Sequence, residues 1–409
     1  MAYTFREARL ANGLTVVGEI EPSALTAAVG FFVRAGTRDE PLPLMGVSHF
    51  LEHMMFKGGA STTAEELNRA FDRIGSRTNA YTSSELTCFH TAVLPEFVPE
   101  AIDLLAGMMR PALRQSDFDS EKGVILEEIA MYKDNPFWVL YERAMEEHYP
   151  AHPLGYRVLG TNESISALRA EQMRAYFDDR YGSRSTVVAL SGSIDFDRAA
   201  RQLDDRCGSW GPGRGPAPRA RRPALAPRSF EMRDPKVNRG YAVLLAEAPA
   251  MDDERRYAAS LLAAILGGPD NSRLHWSLVE TGLADTAEAG YDPRDGTGDY
   301  MVYLSCEPER LDEVLAIASE QVAALRDSLE EADLDRIRAR VATGVTLAGE
   351  RPDGRMQRLG RQWTYLGRHA TLEQELERLR AVSVADLRGL LAEFPMRPCT
   401  RGVLRPDAA

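Results

Sequence analysis

Two kinds of apolar run alternate along this chain. Ala27-Ala-Val-Gly-Phe-Phe-Val, Thr186-Val-Val-Ala-Leu, Tyr241-Ala-Val-Leu-Leu-Ala and Met301-Val-Tyr-Leu are short and largely apolar, and they predict strands. Longer stretches such as Leu311–Leu329 space their apolar residues three and four apart and predict amphipathic helices. The mixture points to an α+β fold.

The runs recur in the same order in both halves. Ala27–Gly36 leads to an acidic turn at Arg38-Asp-Glu and an apolar helix that ends at Gly58-Gly59. Tyr241–Ala246 leads to Asp252-Asp-Glu and an apolar helix that ends at Gly267-Gly268. Superposing the glycine pairs shifts the numbering by 267 − 58 = 209, a period that indicates an internal repeat. His49, Glu52 and His53 then lie opposite Ala258, Leu261 and Leu262, so only the first copy carries polar chemistry there. Between the copies, Gly208 to Pro227 is dense in Pro, Gly and Arg and reads as a connector. The expected division is an N-terminal domain at 1–207, a linker at 208–228 and a C-terminal domain lacking the site at 229–409.

Composition narrows the function. At 409 residues the chain is too long for one core, while 44% hydrophobic and 27% charged residues exclude collagen-like, disordered and membrane-bundle readings. A net charge of −12, from 49 Lys and Arg against 61 Asp and Glu, argues against nucleic acid as partner. No run reaches the roughly 18 apolar residues of a membrane span, and the N-terminus lacks the order of a secretory signal, so a cytoplasmic protein is expected. Cys88, Cys207, Cys306 and Cys399 have no paired spacing, so neither a disulfide framework nor a cysteine metal site is predicted.

Candidate chemistry centres on Ser48-His49-Phe50-Leu51-Glu52-His53-Met54. At about 100° per residue, Val47, Phe50, Leu51, Met54 and Met55 share one helix face, and His49, Glu52 and His53 cluster on the other. Imidazoles one turn apart can bind one zinc ion, and a carboxylate between them can reach the metal's water. A catalytic zinc needs a third protein ligand and an open position, whereas a closed structural site would need four ligands and leave Glu52 idle. His148 and His152 lie in a Pro-flanked segment that reads as a surface loop. A second helix begins near Ser116 or Asp117, and its Glu121 and Glu128, seven apart, fall within the apolar arc of Val124, Ile125, Ile129, Met131 and Tyr132. Carboxylates so placed must meet a cation, either a metal or an arginine.

With Leu10-Ala-Asn-Gly-Leu-Thr-Val, Gly46-Val-Ser-His-Phe-Leu-Glu-His-Met-Met-Phe-Lys-Gly, Asn79-Ala-Tyr-Thr-Ser, Glu121-Lys-Gly-Val-Ile-Leu-Glu-Glu and Pro153-Leu-Gly, the sequence resembles the pitrilysin and mitochondrial-processing-peptidase family of zinc metallopeptidases. The resemblance implies two homologous domains, each a mainly antiparallel sheet packed with helices, and two chains enclosing a chamber for unfolded peptides. It implies one zinc per chain held by His49, His53 and Glu128, with Glu52 as general base and Glu121 supporting the ligands. It also implies that Asn79, Ala80 and Tyr81 form a sheet edge that takes the substrate as an added strand, a mode that demands little of its sequence.

One feature of that family is missing. Its active members carry an Arg and a Tyr seven apart in the second domain, where this chain has Val279 and Asp285 within Ser272–Asp285. The expectation is therefore a zinc endopeptidase whose Arg/Tyr pair comes from a homologous subunit in a heterodimer. A homodimer using Arg273 or His275 instead, and a non-catalytic assembly or peptide-holding subunit, are the alternatives.

Overall fold

The computed structural model describes residues 3–215 and 226–407. Residues 216–225 of the expected linker at 208–228 thus fall outside the described residues. Two compact units are resolved, and neither is a continuous piece of chain. The first comprises the described residues of Met1–Ala130, Tyr156–Pro218 and Leu347–His369, and the second those of Met131–Gly155, Arg219–Thr346 and Ala370–Ala409.

The first unit is built on a six-stranded sheet of β1 (Thr4–Arg9), β2 (Thr15–Ile20), β3 (Ala27–Val33), β4 (Arg77–Thr82), β5 (Thr87–Val93) and β6 (Thr186–Gly192) in the order β1-β2-β6-β3-β5-β4. All pairs are antiparallel except β2 with β6. Every residue of β3 is buried, as the unbroken apolar run at Ala27–Val33 requires of a central strand. Among the described residues β4 pairs only with β5, which leaves its other side as a sheet edge.

The second unit repeats the plan with β7 (Arg228–Arg233), β8 (Gly240–Ala248), β9 (Thr286–Arg294), β10 (Thr297–Cys306) and β11 (Thr400–Arg405) in the order β7-β11-β8-β10-β9. The helix Arg256–Gly267 buries Ala258, Leu261 and Leu262 in its core, the positions that correspond to the polar residues of the first copy.

Each sheet is covered on one face by a helix from the opposite half of the sequence. In the first unit Met356 and Leu359 of helix Pro352–Leu366 pack on Val17, Ala28, Phe32 and Ala189. In the second, Leu140, Ala144 and Met145 of helix Pro136–His148 pack on Val243, Leu245 and Leu404. Both helices start at a proline, and the repeat persists here with an offset of 352 − 136 = 216. Glycine permits the close approach, because a Cβ on Gly360 would lie 2.0 Å from the Phe32 ring. The same helix is pinned by charge. Glu19 of β2 accepts from Arg355 Nη1 at 2.8 Å and meets His369 Nε2 at 2.9 Å, with Arg358 on the same carboxylate.

The structure corrects the surface-loop expectation for His148 and His152. His148 ends helix Pro136–His148 and is buried, with Nδ1 2.9 Å from Thr400 Oγ1 and Nε2 3.2 Å from Asp299. His152 is buried too, and its Nδ1 accepts from the Leu154 amide at 3.2 Å. Pro150 does stop the helix, but Asp299, which also accepts from Tyr149 at 2.6 Å, draws this corner into the second unit. No described helix is long and apolar enough to cross a membrane.

Candidate active site

The helix Val47–Met55 is fixed before its polar face does anything. Val47, Phe50, Leu51, Met54 and Met55 are fully buried, in agreement with the predicted segregation of faces. The start of the helix is held by a carboxylate, since Glu40 accepts from the amides of Gly46 and Ser48, each at 2.7 Å. Burial still pushes the Glu40 carboxyl up to about 7, against the pull of those Ser48 and Gly46 donors. Gly46 has φ +93°, and a Cβ there would lie 2.6 Å from the Leu159 carbonyl, so glycine is required.

The second helix, Gln115–Lys133, packs against it through the stacked rings of Phe50 and Phe118, with centroids 4.8 Å apart. It begins a residue or two earlier than the predicted caps, and Asp117 instead meets Arg114 at 3.2 Å. The predicted apolar arc is only partly buried. Phe118, Glu121, Ile125 and Ile129 form one narrow buried ridge, while Val124 is 45% and Met131 72% exposed.

Glu121 on that ridge and the half-buried Glu128 beside it meet the two histidines. Nε2 of His49 lies 3.8 Å and Nε2 of His53 3.6 Å from Glu128 Oε2. Donor atoms of these three residues all lie within 4.8 Å of one another, the single such cluster among the described residues. A tetrahedral zinc with bonds of about 2.1 Å needs donors roughly 3.4 Å apart, so these two spacings suit the ion with little adjustment. The second imidazole nitrogen of His53 is occupied by Glu121 Oε1 at 2.9 Å, which turns Nε2 towards Glu128. Lys57 pairs with the other Glu121 oxygen.

Electrostatics suit a cation here. Burial, with His53 beside it, lowers the His49 pKa to about 3, leaving a neutral ring with a lone pair to donate. Burial opposes charge on His53 too, but the Glu121 hydrogen bond and the nearby carboxylates of Glu128, Glu121 and Glu52 outweigh it and raise its pKa. The Glu121 carboxyl is lowered by its His53 bond and by Lys57, despite burial. Burial raises Glu128, against the attraction of His53. Glu52 is raised by burial, with Thr82 and His53 opposing and Glu128 adding to the rise.

Glu52 is itself anchored, because Thr82 Oγ1 donates to its Oε2 at 2.6 Å. Thr82 ends β4, the edge strand on which Asn79, Ala80 and Tyr81 pair with His90, Phe89 and Cys88. Asn79 is exposed, Ala80 and Tyr81 are half-buried, and Tyr81 Oη donates to Gln357 at 3.0 Å. Sequence reasoning missed Glu40, Lys57 and Thr82. Lys57 was readable from its spacing of four after His53, whereas Glu40 passed as a turn residue and the Thr82 contact is purely tertiary.

The positions in question in the second unit are engaged within that unit. Val279 ends a π-helical turn, His275–Val279, and packs on the core. The Asp285 carboxylate lies 3.3 Å from Arg239 Nε. Arg273 is held by the Ser328 carbonyl at 2.6 Å and by Asp333 at 3.2 Å, and His275 Nε2 lies 3.1 Å from Glu280.

Comparisons with known proteins show the family to which the chain belongs. Residues 15–162 match the insulinase family, peptidase family M16, and residues 167–341 match the domain described as the peptidase M16 inactive domain. A Mycobacterium tuberculosis protein named an uncharacterized zinc protease is 32% identical, with 99% of this chain and 94% of that one covered. A Bacillus subtilis protein of the same description is 30% identical, with 94% of each covered. The crystal structure of a protease from Helicobacter pylori superposes with a TM-score of 0.92 at 20% identity, covering 99% of this chain and all of that one, and shares the fold.

Proposed function

The chain belongs to peptidase family M16, and from that premise we propose that it is the zinc-binding, catalytic subunit of an endopeptidase that hydrolyses short or unfolded peptides in an enclosed chamber. One observation carries the reading. Donor atoms of two imidazoles and a carboxylate lie within 4.8 Å of one another, and a fourth group, Glu52, stands beside them with one oxygen held by Thr82.

His49, His53 and Glu128 would hold the ion, and zinc, when bound, supplies Lewis acidity to the scissile carbonyl and to the attacking water. Glu52 takes that water's proton on Oε1, the oxygen that Thr82 does not hold, and returns it to the leaving amine nitrogen. Its raised carboxyl pKa moves it towards the range in which one group can serve as base and then acid. Asn79, Ala80 and Tyr81 offer edge-strand backbone to an extended peptide, which suits substrates without folded structure. Donors for the tetrahedral oxyanion would come from a homologous partner chain, since Val279 and Asp285 stand where the family's Arg and Tyr are expected and Arg273 and His275 are engaged elsewhere. A reducing interior such as the cytoplasm suits the free thiols of Cys88, Cys207, Cys306 and Cys399.

The alternative, a non-catalytic assembly or peptide-holding subunit, gives no reason for a complete ligand set with a positioned base. The deciding experiment measures zinc content and hydrolysis of a quenched peptide mixture by the purified chain, with Glu52→Gln as control. Zinc with hydrolysis that the variant loses supports a peptidase sufficient by itself. Zinc without hydrolysis points to the missing subunit, and absence of zinc sinks the catalytic reading.

A further inference from the structure

We propose that Lys57 is a positioning residue of the metal site, holding Glu121 in the orientation that fixes the His53 ring; the proposal rests on the zinc-peptidase reading above. His49, His53 and Lys57 follow one another at intervals of four along the helix Val47–Met55 and its capping residues, and so share one face. Glu128 and Glu121 answer them from the facing helix in reverse order. Glu128 meets His49 and His53, and Glu121 meets His53 and Lys57.

A carboxylate held through one oxygen can pivot about that contact. Glu121 is held through both, with Oε1 on His53 Nδ1 at 2.9 Å and Oε2 on the Lys57 ammonium. Lys57 is a firm anchor. Its amide donates to the Met54 carbonyl at 3.1 Å, its own carbonyl accepts from Arg114 at 3.3 Å, and the next residue, Gly58, has φ +86° with no room for a Cβ against Thr62. Nδ1 of His49, by contrast, is buried and has no hydrogen-bond partner among the described residues. His53 is therefore the ligand whose ring a carboxylate orients, and Lys57 completes that support.

Electrostatics makes the sign of the test diagnostic. A lysine charge near a divalent cation repels it, so its removal, acting through charge alone, tightens zinc binding. Lost orientation weakens it. Zinc affinity is measured by competition with a chromophoric chelator for the wild type, Lys57→Met, Lys57→Gln, Lys57→Arg, Glu121→Gln and the Lys57→Met/Glu121→Gln pair, with zinc-free melting temperature as a check on folding. Lys57 is about one-third exposed at a helix end, so these variants are expected to fold. Lys57→Met and Lys57→Gln are expected to weaken zinc about 10-fold, at the low end of the roughly 10–100-fold range for groups that support metal ligands. Lys57→Arg restores most of the affinity, and Lys57→Met adds nothing once Glu121 is Gln. Unchanged or tighter binding in both neutral variants, or a full additional loss in the pair, overturns the role of Lys57 alone. A wild type that takes up no zinc overturns the peptidase reading and this proposal with it.

Discussion

Thr82 Oγ1 donates to Glu52 Oε2 at 2.6 Å, which ties the end of the edge strand β4 to the group proposed as base. A hydrogen bond to a charged group is worth about 1.5–3 kcal/mol, or roughly 10–100-fold if it is lost in the transition state. Thr82→Val is expected to lower kcat by at least 10-fold with little change in KM and full zinc content, while Thr82→Ser keeps most activity. Steady-state kinetics on one quenched peptide reads the split, and an unchanged kcat in Thr82→Val removes Thr82 from the machinery.

Zinc bound only by the folded chain must stabilise it by mass action, by about 2.7 kcal/mol at a free concentration of 100 times Kd. Wild-type protein is expected to melt several degrees lower after chelation and to recover when zinc is returned. His49→Ala and Glu128→Gln each remove a donor from the cluster and should melt at the same temperature with or without chelator. Calorimetry of the three proteins decides it, and a Glu128→Gln protein that still responds to zinc would remove Glu128 from the ligand set.

Glu19 ties the helix Pro352–Leu366 to β2, and its carboxyl pKa shows the strength of the tie. Burial raises it, but His369, Arg358 and Arg355 prevail and hold it at about 2 instead of the usual 4.5. A carboxyl depressed by folding contributes stability that is complete above pH 4.5 and lost as pH falls towards 2. Glu19→Gln leaves the buried Arg355 and the half-buried Arg358 without their counter-charge and is expected to cost about 3 kcal/mol at pH 7. Denaturant melts at descending pH should show the gap between the two proteins narrowing below pH 4.5; a constant gap contradicts the charge argument.

Gly46→Ala tests whether the start of the motif helix is as tightly fixed as it looks. Its positive φ and the 2.6 Å approach of the Leu159 carbonyl leave an alanine strained and clashing, and the Glu40 cap on the Gly46 amide shifts with it. The expected cost is about 1–3 kcal/mol of stability, accompanied by weaker zinc binding because His49 moves with the first turn. A variant that melts and binds zinc like the wild type would mean the turn relaxes freely.

What the sequence made legible was what local periodicity encodes. The faces of the helix Val47–Met55 followed from the spacing of five apolar residues, and Glu121 with Glu128 from a separation of seven. The repeat was legible too, because Gly-Gly marks survive in both copies. The exchange of helices Pro136–His148 and Pro352–Leu366 between sheets was not, since a helix's period says which face is buried and nothing about which sheet buries it. His148 shows the same limit: Pro150 correctly signals a helix end, but its burial depends on Asp299 and Thr400, 151 and 252 residues away. Val124 and Met131 err in the other direction, as apolar residues on a helix that buries only one ridge.

Arg273 and His275 are the candidate donors in this chain for the role of the absent Arg/Tyr pair, and their contacts argue that neither takes that role. The Arg273 guanidinium is engaged by Ser328 and Asp333, and His275 by Glu280. In whichever assembly hydrolyses peptide, Arg273→Ala is expected to lower the melting temperature by a few degrees, consistent with about 1 kcal/mol for lost polar contacts. Its kcat/KM should stay within about 3-fold of wild type, and that of His275→Ala should do the same. Removing a true oxyanion donor costs about 100–1,000-fold in kcat, so the two outcomes are well separated. A loss of that size in either variant would give the role to this chain and remove the reason for a partner that supplies the donors.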